Sequence, residues 1–115
     1  MNGHLLMAQW LTKTFGLTAE DARAYDNWAL RRACANGHLL VAQWLAGQFA
    51  LTAEDARAED NKALSWACER GHLEVARWLV KTFALTAEDA REALRSAHEN
   101  GHMVVVQWLK ETLLA

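Results

Sequence analysis

The segment His98-Glu99-Asn100-Gly101-His102 matches the His-Glu-x-x-His pattern of zinc proteases. In that pattern both histidines bind zinc from one helix, one turn apart, and the glutamate activates the metal-bound water. Here Gly101 corresponds to glycines that separate two predicted helices elsewhere in the chain, so the two histidines are predicted to lie on different helices. No third ligand is apparent in the sequence. We therefore predict no metal site, no cofactor and no catalysis.

Histidine also recurs at regular intervals, always after a glycine. Equivalent atoms of stacked helical repeats lie on the order of 10 Å apart, which is too far to share one metal ion. We interpret these residues as structural turn histidines: His4, His38, His72 and His102. The cysteines Cys34 and Cys68 are predicted to be small buried hydrophobic residues, and two are too few for a disulfide framework. This cysteine content indicates a reducing compartment.

The Gly-His pairs begin a nine-residue string that occurs four times. Its copies start at Gly3, Gly37, Gly71 and Gly101, so the offsets are 34, 34 and 30 residues. A second string, Leu-Thr-Ala-Glu-Asp-Ala-Arg, recurs unchanged at 17–23, 51–57 and 85–91. A fixed period of this size is typical of stacked repeat proteins. We expect one domain with repeat units at approximately 1–24, 25–58, 59–91 and 92–115.

The apolar spacing predicts alternating longer and shorter helices and no strand. The predicted helices cover residues 4–15, 28–35, 38–49, 62–69, 72–83 and 102–114. In the second string Thr18 and Asp21 can form a capping box, so we interpret it as a helix-capping spacer, and Asp26 or Asn27 is predicted to cap the next helix. The last unit lacks the four residues that correspond to 58–61, which predicts one continuous helix over about 86–100.

Comparison of the repeats separates fixed positions from variable ones. The fixed face of the shorter helix is predicted to be buried: Ala29, Leu30, Ala33 and Cys34, repeated as Ala63, Leu64, Ala67 and Cys68. In the longer helix, a packing ladder of tryptophans is predicted at Trp10, Trp44, Trp78 and Trp108. The opposite face of the shorter helix varies from repeat to repeat. It is either a binding surface, since Trp and Arg are enriched at binding hot spots, or a solvated face without a partner.

The segment 60–79, Asp-Asn-Lys-Ala-Leu-Ser-Trp-Ala-Cys-Glu-Arg-Gly-His-Leu-Glu-Val-Ala-Arg-Trp-Leu, resembles an ankyrin repeat. The family's Thr-Pro-Leu-His start is replaced by Trp28-Ala29-Leu30-Arg31, and its Gly-Ala-Asp loop by the helical spacer. The resemblance implies an all-α, ankyrin-like helical solenoid of about three and a half repeats, with hairpins shortened or replaced by short helical turns. The tetratricopeptide repeat has a similar period, but its Trp-Leu-Gly-Tyr pattern and closing proline are absent.

The resemblance also implies a function, that of a non-catalytic scaffold which binds a protein partner of unknown identity through a concave surface. That surface maps onto the turns and short helices at Tyr25, Trp28, Arg31, Arg32, Glu59, Lys62, Ser65 and Trp66. The alternative is a self-assembling repeat unit, or a designed scaffold without a natural ligand. Its homodimer would form through the N-terminal edge, where a longer helix lacks its shorter partner and exposes Leu5, Leu6, Met7 and Trp10.

Charge and hydropathy exclude two other classes of partner. The net charge of −2 provides no basic field, which argues against binding to nucleic acid. No segment approaches the roughly 20 apolar residues that span a bilayer, and we see no basic-then-apolar secretion signal. We therefore expect no membrane partner and a cytoplasmic location.

Overall fold

A computed structural model describes residues 5, 6, 9, 10, 13, 14, 16 and 18–113. Within this part the chain forms helices and no strand, and no helix is long and apolar enough to cross a membrane. The helices are α1 (Ala19–Ala22), α2 (Ala24–Ala35), α3 (Leu39–Gln48), α4 (Ala53–Ala56), α5 (Ala58–Glu69), α6 (Leu73–Phe83), α7 (Arg91–Glu99) and α8 (Met103–Leu113). Residues 5, 6, 9, 10, 13 and 14 are also helical. The rest of the predicted helix 4–15 lies outside the described residues.

The helices form a two-layer stack, as the repeats predict. One layer is a row of the helices α2, α5 and α7, in which α5 packs between its two neighbours. Each of these three packs against the helix that follows it: α2 on α3, α5 on α6 and α7 on α8. The molecule is accordingly elongated, with extents of 45 × 26 × 20 Å. We refer to α2, α5 and α7 as the front row.

Each front-row helix ends in the predicted Gly-His turn. Gly37 has φ +72°, and the N–H of His38 donates to the carbonyl of Ala33 at 2.9 Å. This left-handed glycine with a backward hydrogen bond is the usual way to satisfy the last carbonyls of a helix. The same bond recurs from His72 to Ala67 at 2.8 Å, and once more in the last repeat. The turn therefore reverses the chain in the same way in every described repeat.

The histidine of each turn packs against the glycine of the turn before it. A Cβ atom on Gly37 would lie 2.8 Å from Nδ1 of His72, and a Cβ atom on Gly71 would lie 2.7 Å from Nδ1 of His102. These glycines are required both for their backbone conformation and for the space that the imidazole ring occupies. His72 and His102 are thus packing residues between repeats, in agreement with the structural role predicted from the sequence.

The fixed positions form the core, with one exception. Leu30, Leu64 and both cysteines are buried, and Ala63 is completely inaccessible to solvent. Burial in apolar surroundings raises the pKa of Cys34 and raises the pKa of Cys68 to about 12, so both thiols remain protonated. Ala29 is the exception, because it is exposed.

Three of the four ladder tryptophans pack against the core as predicted. The ring of Trp44 meets that of Phe49 edge-on at 5.7 Å, and Trp78 meets Phe83 in the same way at 5.6 Å. Trp108 is also partly buried against the core. Trp10, by contrast, is exposed. In the longer helices Trp44, Trp78 and Trp108 therefore pack against the core, and two of them also meet a phenylalanine at the end of the same helix.

The prediction of a continuous helix over 86–100 is wrong. Residues 87–90 form turns, and α7 begins only at Arg91. The carboxylate of Asp89 accepts a hydrogen bond from the backbone N–H of Thr86 at 2.8 Å, so the capping geometry of the spacer persists in the last repeat. Loss of four residues therefore joins this capped turn directly to α7 without merging the two.

Candidate interaction surface

Two left-handed turns project from the front row. Tyr25, Asp26 and Asn27 have φ of 55°, 56° and 62°, and Glu59, Asp60 and Asn61 have almost the same values. Three consecutive left-handed residues form a short helical turn, which is the second of the two alternatives that the resemblance implied, a shortened hairpin or a short helical turn. Since a left-handed conformation costs an L-residue roughly 1–2 kcal/mol, other contacts must hold these turns in place.

The first of these contacts is an ion pair between neighbouring repeats. Nε of Arg57 donates to Oδ1 of Asp89 at 3.0 Å, and a second guanidinium nitrogen donates to Oδ2 at 3.1 Å. The amide of Asn61, the last residue of the left-handed turn, donates to the same carboxylate at 3.1 Å. The backbone N–H of Thr86 completes the set. The carboxylate of Asp89 therefore ties the second left-handed turn, and Arg57 just before it, to the third spacer.

The same arrangement occurs one repeat earlier. Arg23 donates to Asp55 at 2.9 Å, and the amide of Asn27 donates to Asp55 at 3.0 Å. The prediction that Asp26 or Asn27 caps the helix over 28–35 is accordingly wrong: Asn27 is buried, and its amide instead donates to the carboxylate of Asp55 in the second spacer. The predicted capping box is confirmed, since Asp21 accepts hydrogen bonds from the backbone N–H and the hydroxyl of Thr18.

Both inter-repeat carboxylates are held in the ionised form. Burial alone would raise the pKa of Asp89, but the hydrogen bonds from Arg57, Thr86 and Asn61 outweigh it and lower the pKa to about 2. In Asp55 burial is likewise outweighed by the hydrogen bonds from Arg23, Thr52 and Asn27, so its pKa is also lowered. These networks are fully charged at neutral pH.

A second contact that holds the first left-handed turn comes from Arg31. Its guanidinium donates to the backbone carbonyls of Asp26 at 2.9 Å and Tyr25 at 2.8 Å. The same guanidinium lies 5.4 Å from the ring centroids of both Trp28 and Trp66. The two indole rings meet edge-on at 6.2 Å. Arg31 therefore joins α2, α5 and the turn in one cluster through hydrogen bonds and cation–π contacts.

The structure brings together part of the predicted binding set. Tyr25 is 85% exposed and Trp28 is 47% exposed, while Arg31 is only 8% exposed beneath them. The exposed guanidinium of Arg32 lies 5.5 Å from the Trp28 ring centroid. We refer to this group as the aromatic patch: Tyr25, Trp28, Arg31, Arg32 and Trp66.

Two predicted surface positions are buried. Arg31 is enclosed by two rings, and Ser65, one repeat later, is buried with a hydroxyl that makes no hydrogen bond within the described part of the chain. Both follow from the close packing of the front row, since these positions face between neighbouring helices and only part of the variable face remains open. The predicted picture of a fully open variable face is therefore corrected at these two residues.

The remaining predicted residues lie farther along the row. Glu59 is exposed in the second left-handed turn, and half-buried Lys62 donates to Glu92 of α7 at 3.0 Å. Beside them is an open groove of about 410 Å³. It is lined by Asp60, Asn61, Glu88, Asp89, Arg91, Glu92 and Arg95. We refer to it as the polar groove.

Sequence reasoning missed both the polar groove and the inter-repeat network. The signal for the groove was the four-residue gap, because without a third left-handed turn there is open space next to the second. The signal for the network was the unchanged Arg and Asp of the spacer, which recur in all three copies. Helix capping explains why the Asp recurs in the spacer, but it does not explain why the Arg recurs.

The His-Glu-x-x-His segment is divided as predicted. His98 lies in α7, whereas His102 precedes α8 and packs its ring over Gly71. Gly101 between them has φ +73°, which ends the first helix. Within the residues that the structure describes, no group of three or more His, Cys, Asp or Glu side chains has a geometry that could hold a metal ion.

Comparison with known families agrees with this architecture. A family model described as "Ankyrin repeats (3 copies)" matches residues 30–113, which is more than half of the chain. The chain belongs to the ankyrin-repeat family. Ankyrin repeats are generally protein-binding scaffolds, and the family is typically non-enzymatic. The searches of curated proteins and of solved structures gave no significant match.

Proposed function

We propose that this ankyrin-repeat protein is a non-catalytic scaffold that binds a protein partner through the front row, with the aromatic patch as the main contact. The observation that supports this most directly is the exposure of Tyr25 and Trp28 beside the exposed Arg32. Tyr, Trp and Arg are the residue types that dominate binding energy at protein interfaces. A cluster of these three residue types at one edge of the front row fits a binding surface better than a solvated face without a partner.

Preorganisation of the patch strengthens the proposal. Arg31 fixes the left-handed turn through two carbonyls and is itself enclosed by two indole rings. Asn27, at the other end of the turn, donates its amide to Asp55, which also pairs with Arg23. Side chains that are ordered before binding lose less conformational entropy on association, so more of the contact energy contributes to affinity.

The polar groove extends the proposed surface toward the last repeat. It presents the carboxylates of Asp60, Glu88 and Glu92 together with the guanidinium groups of Arg91 and Arg95. Mixed charges at the rim of an interface contribute mainly to specificity and to the association rate. We assign Glu59 and Lys62 to this end of the surface, and the aromatic patch to the part that contributes most affinity.

The experiment is affinity capture with three immobilised proteins: the unmodified chain, a Tyr25→Ala/Trp28→Ala variant and a Gln43→Ala/Arg77→Ala control. The control removes two exposed side chains of the longer helices α3 and α6. Circular dichroism and thermal unfolding confirm that all three are folded. We expect a protein that the unmodified chain and the control retain and that the patch variant loses. Equal retention by all three, or no selective retention by any, overturns the proposal.

Self-assembly is the second candidate, and one observation favours it. Leu6 and Trp10, two large apolar residues of the helical segment that precedes α1, are exposed. Of the other two residues predicted at this edge, Leu5 is half-buried and Met7 lies outside the described residues. Light scattering on a sizing column at micromolar and roughly hundredfold higher concentration tests it. A dimer that persists on dilution supports this candidate, and a monomer at both concentrations contradicts it.

The two cysteines bear on location. Cys34 and Cys68 are free thiols inside the core. We propose that the protein works in a reducing compartment, the cytoplasm, where buried thiols remain reduced. Mass spectrometry of the protein purified from its native compartment checks this, and recovery of either cysteine as a disulfide contradicts it.

A further inference from the structure

The exposed Ala29 marks an open position beside α2. Its counterparts Ala63 and Ala93 are both 0% exposed. Those two lie on front-row helices that have a preceding neighbour, since α5 follows α2 and α7 follows α5 in the row. Among the residues that the structure describes, no front-row helix lies before α2. Within the described part of the chain, the side of α2 that carries Ala29 is therefore open, whereas α2 and α5 cover the equivalent sides of α5 and α7.

The side chains at this open position differ from those at the interfaces between neighbouring front-row helices. At the α2–α5 interface, the guanidinium of Arg31 lies over the ring of Trp66. One repeat earlier, the position of Trp66 is taken by Arg32. The Arg32 guanidinium contacts the Trp28 ring, and it makes no ion pair with any carboxylate in the described part of the chain. An incoming helix would thus face an alanine, a half-exposed indole and an unpaired positive charge.

We propose that this position accepts an acidic helix from a partner protein, which adds to the front row ahead of α2. This inference rests on the proposed scaffold function and names the class of partner. The small surface at Ala29 lets two helices approach closely, as Ala63 does at the next interface. Arg32 selects a helix with a carboxylate at the position that Arg31 and Ser65 occupy in α2 and α5. The Lys62–Glu92 pair shows that neighbouring front-row helices already use such charge pairs.

Charge argues against a second copy of the chain as the occupant. The front-row helix at the other end of the stack is α7, and its open side carries Arg95 and His98, both exposed. Arg95 stands at the position that corresponds to Arg31 and Ser65. Head-to-tail stacking of two copies would therefore place Arg95 of one copy next to Arg32 of the other. Like charges placed together across an interface oppose association.

This charge difference gives the experiment a matched pair of probes. The probes are two labelled synthetic peptides of residues 85–100, one unchanged and one with Arg95→Glu. Binding to the full-length protein is measured by fluorescence anisotropy up to about millimolar concentration. We expect the Arg95→Glu peptide to bind at least about fivefold more tightly than the unchanged peptide, as a new charge pair predicts. The difference is expected to shrink at high salt, because salt screens exposed charges.

Two protein variants locate the binding and decide the outcome. Arg32→Glu is expected to reverse the preference between the peptides, and Ala29→Leu to weaken binding of both, while Gln43→Leu leaves binding unchanged. Any of four results overturns the proposal. Neither peptide binds, or the two peptides bind with equal affinity. Arg32→Glu leaves the preference between the two peptides unchanged, or Ala29→Leu leaves the affinity of both peptides unchanged. Tighter binding of the unchanged peptide also overturns it and favours a second copy.

Failure here can be distinguished from failure of the scaffold function. If the Ala29→Leu variant retains a captured protein that the Tyr25→Ala/Trp28→Ala variant loses, the scaffold function is supported and the proposal of an acidic partner helix is contradicted. If no protein is captured selectively, the proposed scaffold function is contradicted, whatever the result of the peptide-binding experiment.

Discussion

Nε of Arg57 donates to Oδ1 of Asp89 at 3.0 Å, although the two residues are 32 positions apart in neighbouring repeats. The pair lies at the base of the second left-handed turn, whose last residue, Asn61, binds the same carboxylate. In this chain the spacer between helices therefore does more than cap a turn. It fixes the angle at which each turn leaves the front row, and so it positions the surface that we propose binds a partner.

Asp89→Asn is expected to destabilise the protein by about 2–3 kcal/mol, because Arg57, Asn61 and Thr86 all lose a charged acceptor. The change keeps the size of the side chain, so the effect reports on charge and hydrogen bonding. Equilibrium unfolding in urea measures the free energy of unfolding.

The matched control is Asp21→Asn, at the equivalent position of the first spacer. Asp21 accepts hydrogen bonds from Thr18 within its own capping box but forms no ion pair with an arginine in the described part of the chain. Loss of a capping contact costs about 1 kcal/mol. Equal losses of stability in the two variants would show that the inter-repeat ion pair contributes nothing beyond capping.

Stability is also expected to fall in acid. The pKa of Asp89 is about 2 in the folded protein, below the ordinary value of about 3.9 that applies to the unfolded chain. The ionised pair therefore stabilises the fold fully above about pH 4, and this contribution is lost as the pH falls toward 2. For Asp89 it amounts to up to about 2 kcal/mol, and Asp55 changes in the same direction.

The pH dependence is measured by urea unfolding at a series of pH values between about 2 and 7. Asp89→Asn provides the comparison, because it cannot titrate at this site. Its free energy of unfolding is expected to change less between pH 4 and 2 than that of the unmodified protein. Parallel curves for the two proteins would contradict the assignment of the lowered pKa to Asp89.

Gly71→Ala is expected to be more damaging than Gly101→Ala. Both glycines have almost the same positive φ, 76° and 73°, so the backbone cost of about 1–2 kcal/mol is common to both. A Cβ atom on Gly71 would come within 2.7 Å of the His102 ring, whereas one on Gly101 would meet nothing within 4 Å. The difference in the free energy of unfolding therefore measures the packing between repeats, and we expect at least about 1 kcal/mol. Equal effects would mean that the histidine ring moves aside freely.

Arg31→Met is expected to destabilise the protein by about 1–2 kcal/mol, although a surface role was predicted for Arg31 from the sequence. Methionine fills similar space between the two indole rings but leaves the carbonyls of Tyr25 and Asp26 without their donor. Arg32→Met is the control, since Arg32 is exposed and its change is expected to alter stability by less than about 0.5 kcal/mol. Thermal unfolding of both variants separates the two arginines.

These arginines show how far sequence reasoning reaches in a repeat protein. Periodicity alone predicts the helices, the Gly-His turns and the buried face, because those features depend on spacing within one repeat. Arg31 and Arg32 are adjacent, chemically identical and both on the variable face. Their opposite environments depend on where the next helix lies, and no local pattern contains that information.

The inter-repeat network was hidden for a related reason. Capping explains Asp55 and Asp89 completely at the level of one repeat, so a partner 32 residues away was not needed to account for them. The left-handed conformation of Tyr25, Asp26 and Asn27 was equally hidden, because Asn and Asp adopt it only occasionally, as single residues, and Tyr has no local preference for it. The hydrogen bonds from Arg31 to the carbonyls of Tyr25 and Asp26 hold these two residues in that conformation.

The last prediction concerns two opposite substitutions, one from alanine to glycine and one from glycine to alanine, both of which are expected to raise the free energy of unfolding. Ala84 ends α6 in a left-handed conformation with φ 51°, and Ala50 has the same φ one repeat earlier. The first repeat has Gly16 at this position, with φ 62°. Glycine adopts this conformation without the steric cost that alanine bears, so Ala84→Gly is expected to stabilise the protein by about 0.5–1 kcal/mol.

Gly47→Ala, within α3, is expected to stabilise by a similar amount of about 1 kcal/mol, because alanine is the better helix former. A Cβ atom there would meet nothing within 4 Å, so no clash opposes the gain. Urea unfolding of the two single variants and of the double variant tests both effects, which are expected to add because the sites share no partner. If Ala84→Gly destabilised the protein while Gly47→Ala stabilised it, general helix propensity would outweigh the left-handed geometry at residue 84, and the strain assigned to that helix end would be wrong.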